Sequence, residues 1–331
     1  MTSQLAQHLN PNLFHSDVET APNRNGYGEG LKEAGDADVR VVALSADLTS
    51  STKTNVFAEA YPKRFIQVGI AEQSMASVAS GMAAMGKIPF FASYAAFSPG
   101  RNWEQIRTTI AYNGVNVKVI GAHAGVSVGP DGATHQALED IATMRVIPRM
   151  VVIAPCDYNE AKRATIEMAK YVGPVYMRLA REASPLITTP GSPFQTGKAE
   201  VFLNRNPEHT KKVGIISTGV VSYQALVAAK ILNERGIGAS VLHVATIKPL
   251  DTEAVRLFAE SHDVLVTVEE HQRIGGLGSA VTEYLSLVRP TKVLRLGIDD
   301  VFGQSGTAEE LFAHFGIDSA GIVRDAEKFV G

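Results

Sequence analysis

Cysteine is nearly absent: among 331 residues only Cys156 occurs. One thiol excludes an intrachain disulfide and fits a reducing compartment. Net charge is small as well, −3 from 31 basic and 34 acidic residues. Such a balance argues against nucleic acid or an anionic membrane surface as partner, so an anionic ligand has to be met locally by a few placed arginines. Long apolar runs are also missing. The longest charge-free stretch, VGIISTGVVSYQALVAA (213–229), carries Ser, Thr, Gly and Gln and is too polar and too short to span a bilayer. The opening residues, MTSQLAQHLNPNLFHSD, show neither the basic nor the apolar segment of a secretory signal, and the expected location is the cytoplasm.

What the chain does have is alternation. Short β-branched runs, VRVVALS (39–45), VKVIGA (117–122), MVVIAP (150–155) and PVYMRL (174–179), are separated by segments with apolar residues at three- and four-residue spacing. Strands that read as unbroken apolar runs are buried on both faces, which predicts a parallel sheet wrapped by helices. At this length two domains are expected. The spacing predicts an α/β fold of two consecutive domains with mainly parallel sheets: 1–185, a linker over 186–212 rich in Pro, Gly, Ser and charge with room for a short strand, and a smaller domain over 213–331. GGLGS (275–279) reads as a turn into a helix, not a nucleotide loop.

Ligands of open parallel sheets sit beyond the carboxyl ends of the strands. The loops leaving those ends are ADLTSST, ASYAAFSPGR, HAGVSVGPDGATHQ and RLAR. The third, 123–136, brackets three glycines and Asp131 between His123 and His135, and imidazoles exchange protons near neutral pH. Metal ligation there is not expected, because no Cys or carboxylate set completes it. Glu72 is the single carboxylate in FIQVGIAEQSMASVASGMAAMG (65–86). Two readings of it stand open: a half-dry carboxyl with a raised pKa, or a solvated first-turn residue favoured by the helix dipole. Phe97 can stack on a flat ring or belong to the core. Arg24, Arg101 and Arg178 lie in or beside loops, as does Ser51, and each arginine can bind phosphate or join a surface ion pair.

Taken in order and spacing, VGIAEQ, AAFSPGRNWEQIR and GPDGATHQALEDIATMRVIPRMVVIAPCDYNE resemble the pyrimidine-binding half of transketolases, and VEEHQRIGGLGSAV resembles the C-terminal domain of the same enzymes. The resemblance implies a thiamine-diphosphate pyrimidine-binding domain followed by a transketolase C-terminal-like domain, and ketol transfer between sugar phosphates. In that family the glutamate matching Glu72 bonds to the aminopyrimidine of thiamine diphosphate and shares the proton that activates the cofactor. By the same carry-over Phe97 stacks on the pyrimidine and Asp47 lines its pocket. His135 contacts the substrate carbonyl and helps move protons, while His123 and Asp131 hold sugar hydroxyls. Arg24, Ser51 and Arg178 clamp the phosphate, with Arg101 a helper near the cofactor. The SPGR run after Phe97 is one residue longer than the family pattern.

The family's Gly-Asp-Gly motif, which binds the diphosphate through Mg²⁺, does not occur in this sequence. The resemblance therefore implies a split enzyme in which a separate N-terminal subunit supplies the diphosphate and Mg²⁺ site, and two-fold assembly favours a heterotetramer. The alternatives are half of a deoxyxylulose-phosphate synthase, the beta subunit of a 2-oxo acid dehydrogenase, and a non-catalytic scaffold or regulatory subunit. The synthases carry an acidic residue where His123 stands, and the dehydrogenases lack the Asp-Gly-x-Thr-His-Gln arrangement. A scaffold has no need of Glu72, His123, Asp131 and His135 together. No catalytic residue is evident in the C-terminal domain, for which packing against a second copy is the default role.

Overall fold

The computed structural model describes residues 3–331. The apolar runs become inner strands, as their lack of alternation predicts: Val41–Ser45 and Lys118–Ala122 are buried at every position. They lie in a seven-stranded sheet with the spatial order Thr246–Lys248, Val151–Ile153, Val175–Arg178, Lys118–Ala122, Ile88–Tyr94, Val41–Ser45, Phe65–Gln67. All neighbours are parallel except the edge strand Thr246–Lys248, which runs antiparallel and comes from the second half of the chain.

A second sheet has six strands, in the order Gln4–Leu5, Glu200–Asn204, Gly238–His243, Lys212–Ser217, Val264–Gln272, Val293–Ile298. Its first two pairings are antiparallel and the rest parallel. The segment read as a linker thus contains Glu200–Asn204, a strand of this sheet, and Gln4–Leu5 pairs here and not with the sheet of the residues that follow it. Each sheet borrows an edge from the other's stretch of sequence. Strands of two or three residues carry no periodicity, so only backbone pairing reveals them. At GGLGS the helix Leu277–Val288 does begin directly after Gly276. Among the described residues no helix is long and apolar enough to cross a membrane.

One helix bears directly on the site. Asn23–Ala37 carries Arg24 and lies against Tyr158–Lys170. Gly26 and Gly30 permit that approach: a Cβ built on them meets the Tyr158 carbonyl oxygen at 2.0 Å and that of Lys162 at 2.6 Å. Backbone cannot yield as a flexible side chain does. Gly26→Ala is therefore expected to cost about 1–3 kcal/mol through overpacking, read as a lower urea midpoint at unchanged m-value. An unchanged or raised midpoint contradicts the close packing.

Candidate active site

The carboxyl ends of the first sheet's central strands bring four rings together. Tyr94 ends the strand Ile88–Tyr94, Phe97 follows in the next turn, and His123 directly follows the strand Lys118–Ala122. His123 adopts a left-handed backbone, φ 53°, and its ring lies on Tyr94 with centroids 4.0 Å apart. His135 returns from the far end of the loop to meet Phe97 edge-on at 5.6 Å and Tyr94 at 6.2 Å. Sequence reasoning misses Tyr94. It closes an apolar run and reads as core, and its only signal is its place at the carboxyl edge.

Glu72 opens the helix Glu72–Ala84 and is 4% exposed. Of the two sequence readings the solvated one is excluded. Asn102 Nδ2 donates to the Glu72 backbone carbonyl at 3.0 Å, tying the helix start to the Phe97 loop. Arg101 Nη1 stands 3.3 and 3.4 Å from the two carboxylate oxygens, and the same guanidinium lies 4.2 Å from the Phe97 ring centroid. Glu72, Phe97 and Arg101 are therefore one unit.

A polar rim flanks the rings. Arg24 Nη1 donates to the Ser51 carbonyl at 2.7 Å and its Nε to the Arg181 carbonyl at 3.1 Å. Ser51 is thus held by its backbone. Arg181 Nη1 donates to Asp131 Oδ1 at 3.2 Å and to the Val128 carbonyl at 3.0 Å. Arg24, Ser51, Arg181 and Asp131 are thus joined by hydrogen bonds into one rim, in which Arg181, not Arg178, stands beside Arg24.

Arg178 requires correction. It ends the strand Val175–Arg178 and is 5% exposed. Its Nε lies 3.1 Å from Asp140 Oδ2, Nη2 donates to the Glu270 carbonyl at 2.8 Å, and Nη1 is 3.7 Å from Glu270 Oε1. Tyr176 donates its hydroxyl to the same Asp140 oxygen at 2.7 Å. A guanidinium enclosed by two buried carboxylates has no face left for a phosphate. Asp47 also stands apart: it is exposed on the loop after Val41–Ser45, with its N–H donated to Gln67 Oε1 at 2.8 Å, and no contact joins its carboxylate to the rings.

The second domain braces the histidine loop. Glu270 Oε2 accepts the Ser127 N–H at 3.1 Å. Gln136 Nε2 donates to the carbonyls of Val126, Gly129 and Gln304 at 3.2, 3.1 and 2.9 Å. The support from Glu270 and Gln304 is invisible in sequence, because both lie far from the loop in the chain.

Burial, and after it the charges of Arg24, Arg181 and His135, push the His123 imidazole down to about 3. It is therefore neutral across the physiological range, with Nδ1 buried and without a protein partner. An unfolded-chain imidazole titrates near 6.5. Between about pH 6.5 and about pH 3 the unfolded chain consequently binds the extra proton and the folded chain does not, so His123 removes stability as pH falls through that window. Urea midpoints at pH 7 and pH 5 are expected to separate more for the native chain than for His123→Gln; equal separation overturns the neutral assignment.

Residues 19–185 match the family model described as transketolase, pyrimidine binding domain, and 204–322 match transketolase, C-terminal domain. A Methanocaldococcus jannaschii protein assigned as a transketolase C-terminal section is 45% identical over 91% of this chain and 94% of its own length. The 6-deoxy-6-sulfo-D-fructose transketolase subunit of a Clostridium strain is 40% identical over 95% of this chain and 96% of its own. Among solved structures, a split-gene transketolase described as an inactive β4 tetramer superposes with a TM-score of 0.85 at 39% identity, covering 94% of this chain and 99% of that one. The chain belongs to the transketolase family, whose pyrimidine-binding and C-terminal domains it carries.

Proposed function

We propose that this chain is the C-terminal subunit of a split, thiamine-diphosphate-dependent transketolase that moves a two-carbon ketol unit between ketose and aldose phosphates. The observation that carries the reading is the Glu72–Phe97–Arg101 unit beside the ring cluster. A planar, nitrogen-rich guanidinium lies over Phe97 while donating to the buried Glu72 carboxylate, which are the two contacts an aminopyrimidine ring needs. The residues present therefore fit the cofactor's ring, provided Arg101, half-exposed, swings aside.

When bound, thiamine diphosphate supplies the carbon nucleophile that amino-acid side chains lack. The chain's own groups do the rest. Glu72, sheltered from water, holds a proton at the pyrimidine ring nitrogen, and Phe97 presents a flat apolar face. His135 moves a proton at the substrate carbonyl oxygen. Neutral His123 holds a sugar hydroxyl, and Asp131 holds the neighbouring one. Arg24 and Arg181 meet a tetrahedral anion at the rim. A phosphate suits them, and so does a sulfonate of the kind named in the Clostridium relative.

The diphosphate and its Mg²⁺ are assigned to a partner subunit with the Gly-Asp-Gly motif, in a heterotetramer of two chains of each kind. The inactive assembly formed by the split-gene relative supports the same division of labour. The isolated chain is expected to show no ketol transfer with thiamine diphosphate and Mg²⁺ in excess, and to become active when the partner chain is added. Robust transfer by the isolated chain overturns the split reading.

A further inference from the structure

A second buried cluster, away from the rings, joins the two domains. Cys156 follows the strand Val151–Ile153, Glu160 lies in the first turn of the helix Tyr158–Lys170, and His243 ends the strand Gly238–His243 of the second sheet. All three are buried, and their sulfur, carboxylate oxygen and imidazole nitrogen lie within 4.8 Å of one another. His243 Nε2 is 2.9 Å from Glu160 Oε2, and that oxygen also accepts the Cys156 backbone N–H at 2.7 Å. The imidazole is oriented from behind: Nδ1 stands 3.1 Å from Ser222 Oγ, and the Phe202 ring stacks on it at 4.6 Å. A cavity of about 250 Å³ opens onto Glu160 and His243 and is lined further by Glu200 and Lys198.

The geometry points to a site for one divalent cation of the zinc class, held by Cys156 Sγ, the Glu160 carboxylate and His243 Nε2. Thiolate, imidazole and a carboxylate together are the donors that borderline-soft ions take. Ser222 is the outer hydrogen-bond partner that a metal-bound histidine requires. Its hydroxyl donates to Nδ1 while Nε2–H faces Glu160, and it rotates to accept from Nδ1–H once Nε2 is taken by the ion. The incoming ion displaces the thiol proton, which passes to solvent, while the imidazole keeps its one proton, moved from Nε2 to Nδ1. The adjoining cavity is the entry path and leaves room for a water as fourth ligand. Since the ligands come from both domains, the ion is a structural clamp between them, independent of the ketol-transfer reading.

The test is titration of the tag-free full-length chain, stripped with chelator, first with Co²⁺ and then with Zn²⁺. One Co²⁺ per chain is expected, with a thiolate-to-metal absorption band that Zn²⁺ abolishes, and with acidification of a weakly buffered solution. Cys156 is the only cysteine, so the band reports this site alone. Cys156→Ser preserves the shape of the cluster and its His–Glu pair and is expected to lose tight binding. Ser222→Ala is expected to keep the band and to weaken binding about tenfold or more. Absence of the band from the folded native chain, or equal Co²⁺ affinity in native and Cys156→Ser chains, overturns the assignment.

Discussion

Glu72→Gln in the reconstituted complex is expected to lower turnover by roughly 10²–10⁴-fold, the range of a positioned proton-transfer group, and to leave assembly intact. The substitution keeps volume and hydrogen-bonding capacity but removes the ability to take or share a proton. The side chain is 4% exposed, so water cannot stand in for it. Its one ion-pair partner, Arg101, is half-exposed and can be rehydrated when the pair is lost, which is why folding is expected to survive. Turnover per assembled complex, with subunit stoichiometry from light scattering, separates the two effects. Native-like turnover in the complex carrying Glu72→Gln refutes the assignment of Glu72 to cofactor activation.

Arg178→Met is expected to act on stability instead, by about 3–5 kcal/mol, because removing one partner of a buried ion pair leaves the others uncompensated. The orphans here are Asp140, 2% exposed, and Glu270, also 2% exposed. Burial pushes the Glu270 carboxyl up, and the charge of Arg178 is the largest influence pulling it back. Lys at this position restores a charge but not the fork that reaches Asp140 and the Glu270 carbonyl at once. Arg181→Ala provides the contrast. That side chain is 31% exposed and bonds to Asp131, so its loss leaves stability within about 0.5 kcal/mol. If Arg181 binds the substrate anion, KM rises roughly ten- to hundredfold, as for a hydrogen bond to a charged group worth about 1.5–3 kcal/mol. Urea unfolding and substrate-saturation curves on both variants decide the matter. A large KM effect in a fully stable Arg178→Met returns the phosphate role to Arg178.

Much of this protein was legible one residue at a time. Unbroken apolar runs such as VRVVALS and VKVIGA announced inner parallel strands, and the loops at their ends held the polar groups. The two histidines of 123–136 and the odd carboxylate of 65–86 stood out by chemical type, and the family motifs suggested the roles proposed for them. Legibility failed where the deciding partner is distant. Arg178 and Arg181 are three positions apart in RLAR, with equal claim on an anion. Asp140 and Glu270, 38 and 92 residues from Arg178, take the first inward and leave the second at the rim. Tyr94 was hidden for a related reason, since an aromatic at the end of a buried strand looks like core until a neighbouring loop lays an imidazole on it.

Local sequence, then, determined the elements and the kinds of reactive group: periodicity and residue type act within a few positions, and the chain reads them directly. The tertiary structure alone decided which groups meet, which lie dry, and how the domains are joined through Gln4–Leu5, Thr246–Lys248 and the Cys156–Glu160–His243 cluster. Burial and Coulomb interaction are properties of surroundings, and the surroundings of these residues are assembled from segments far apart in the chain.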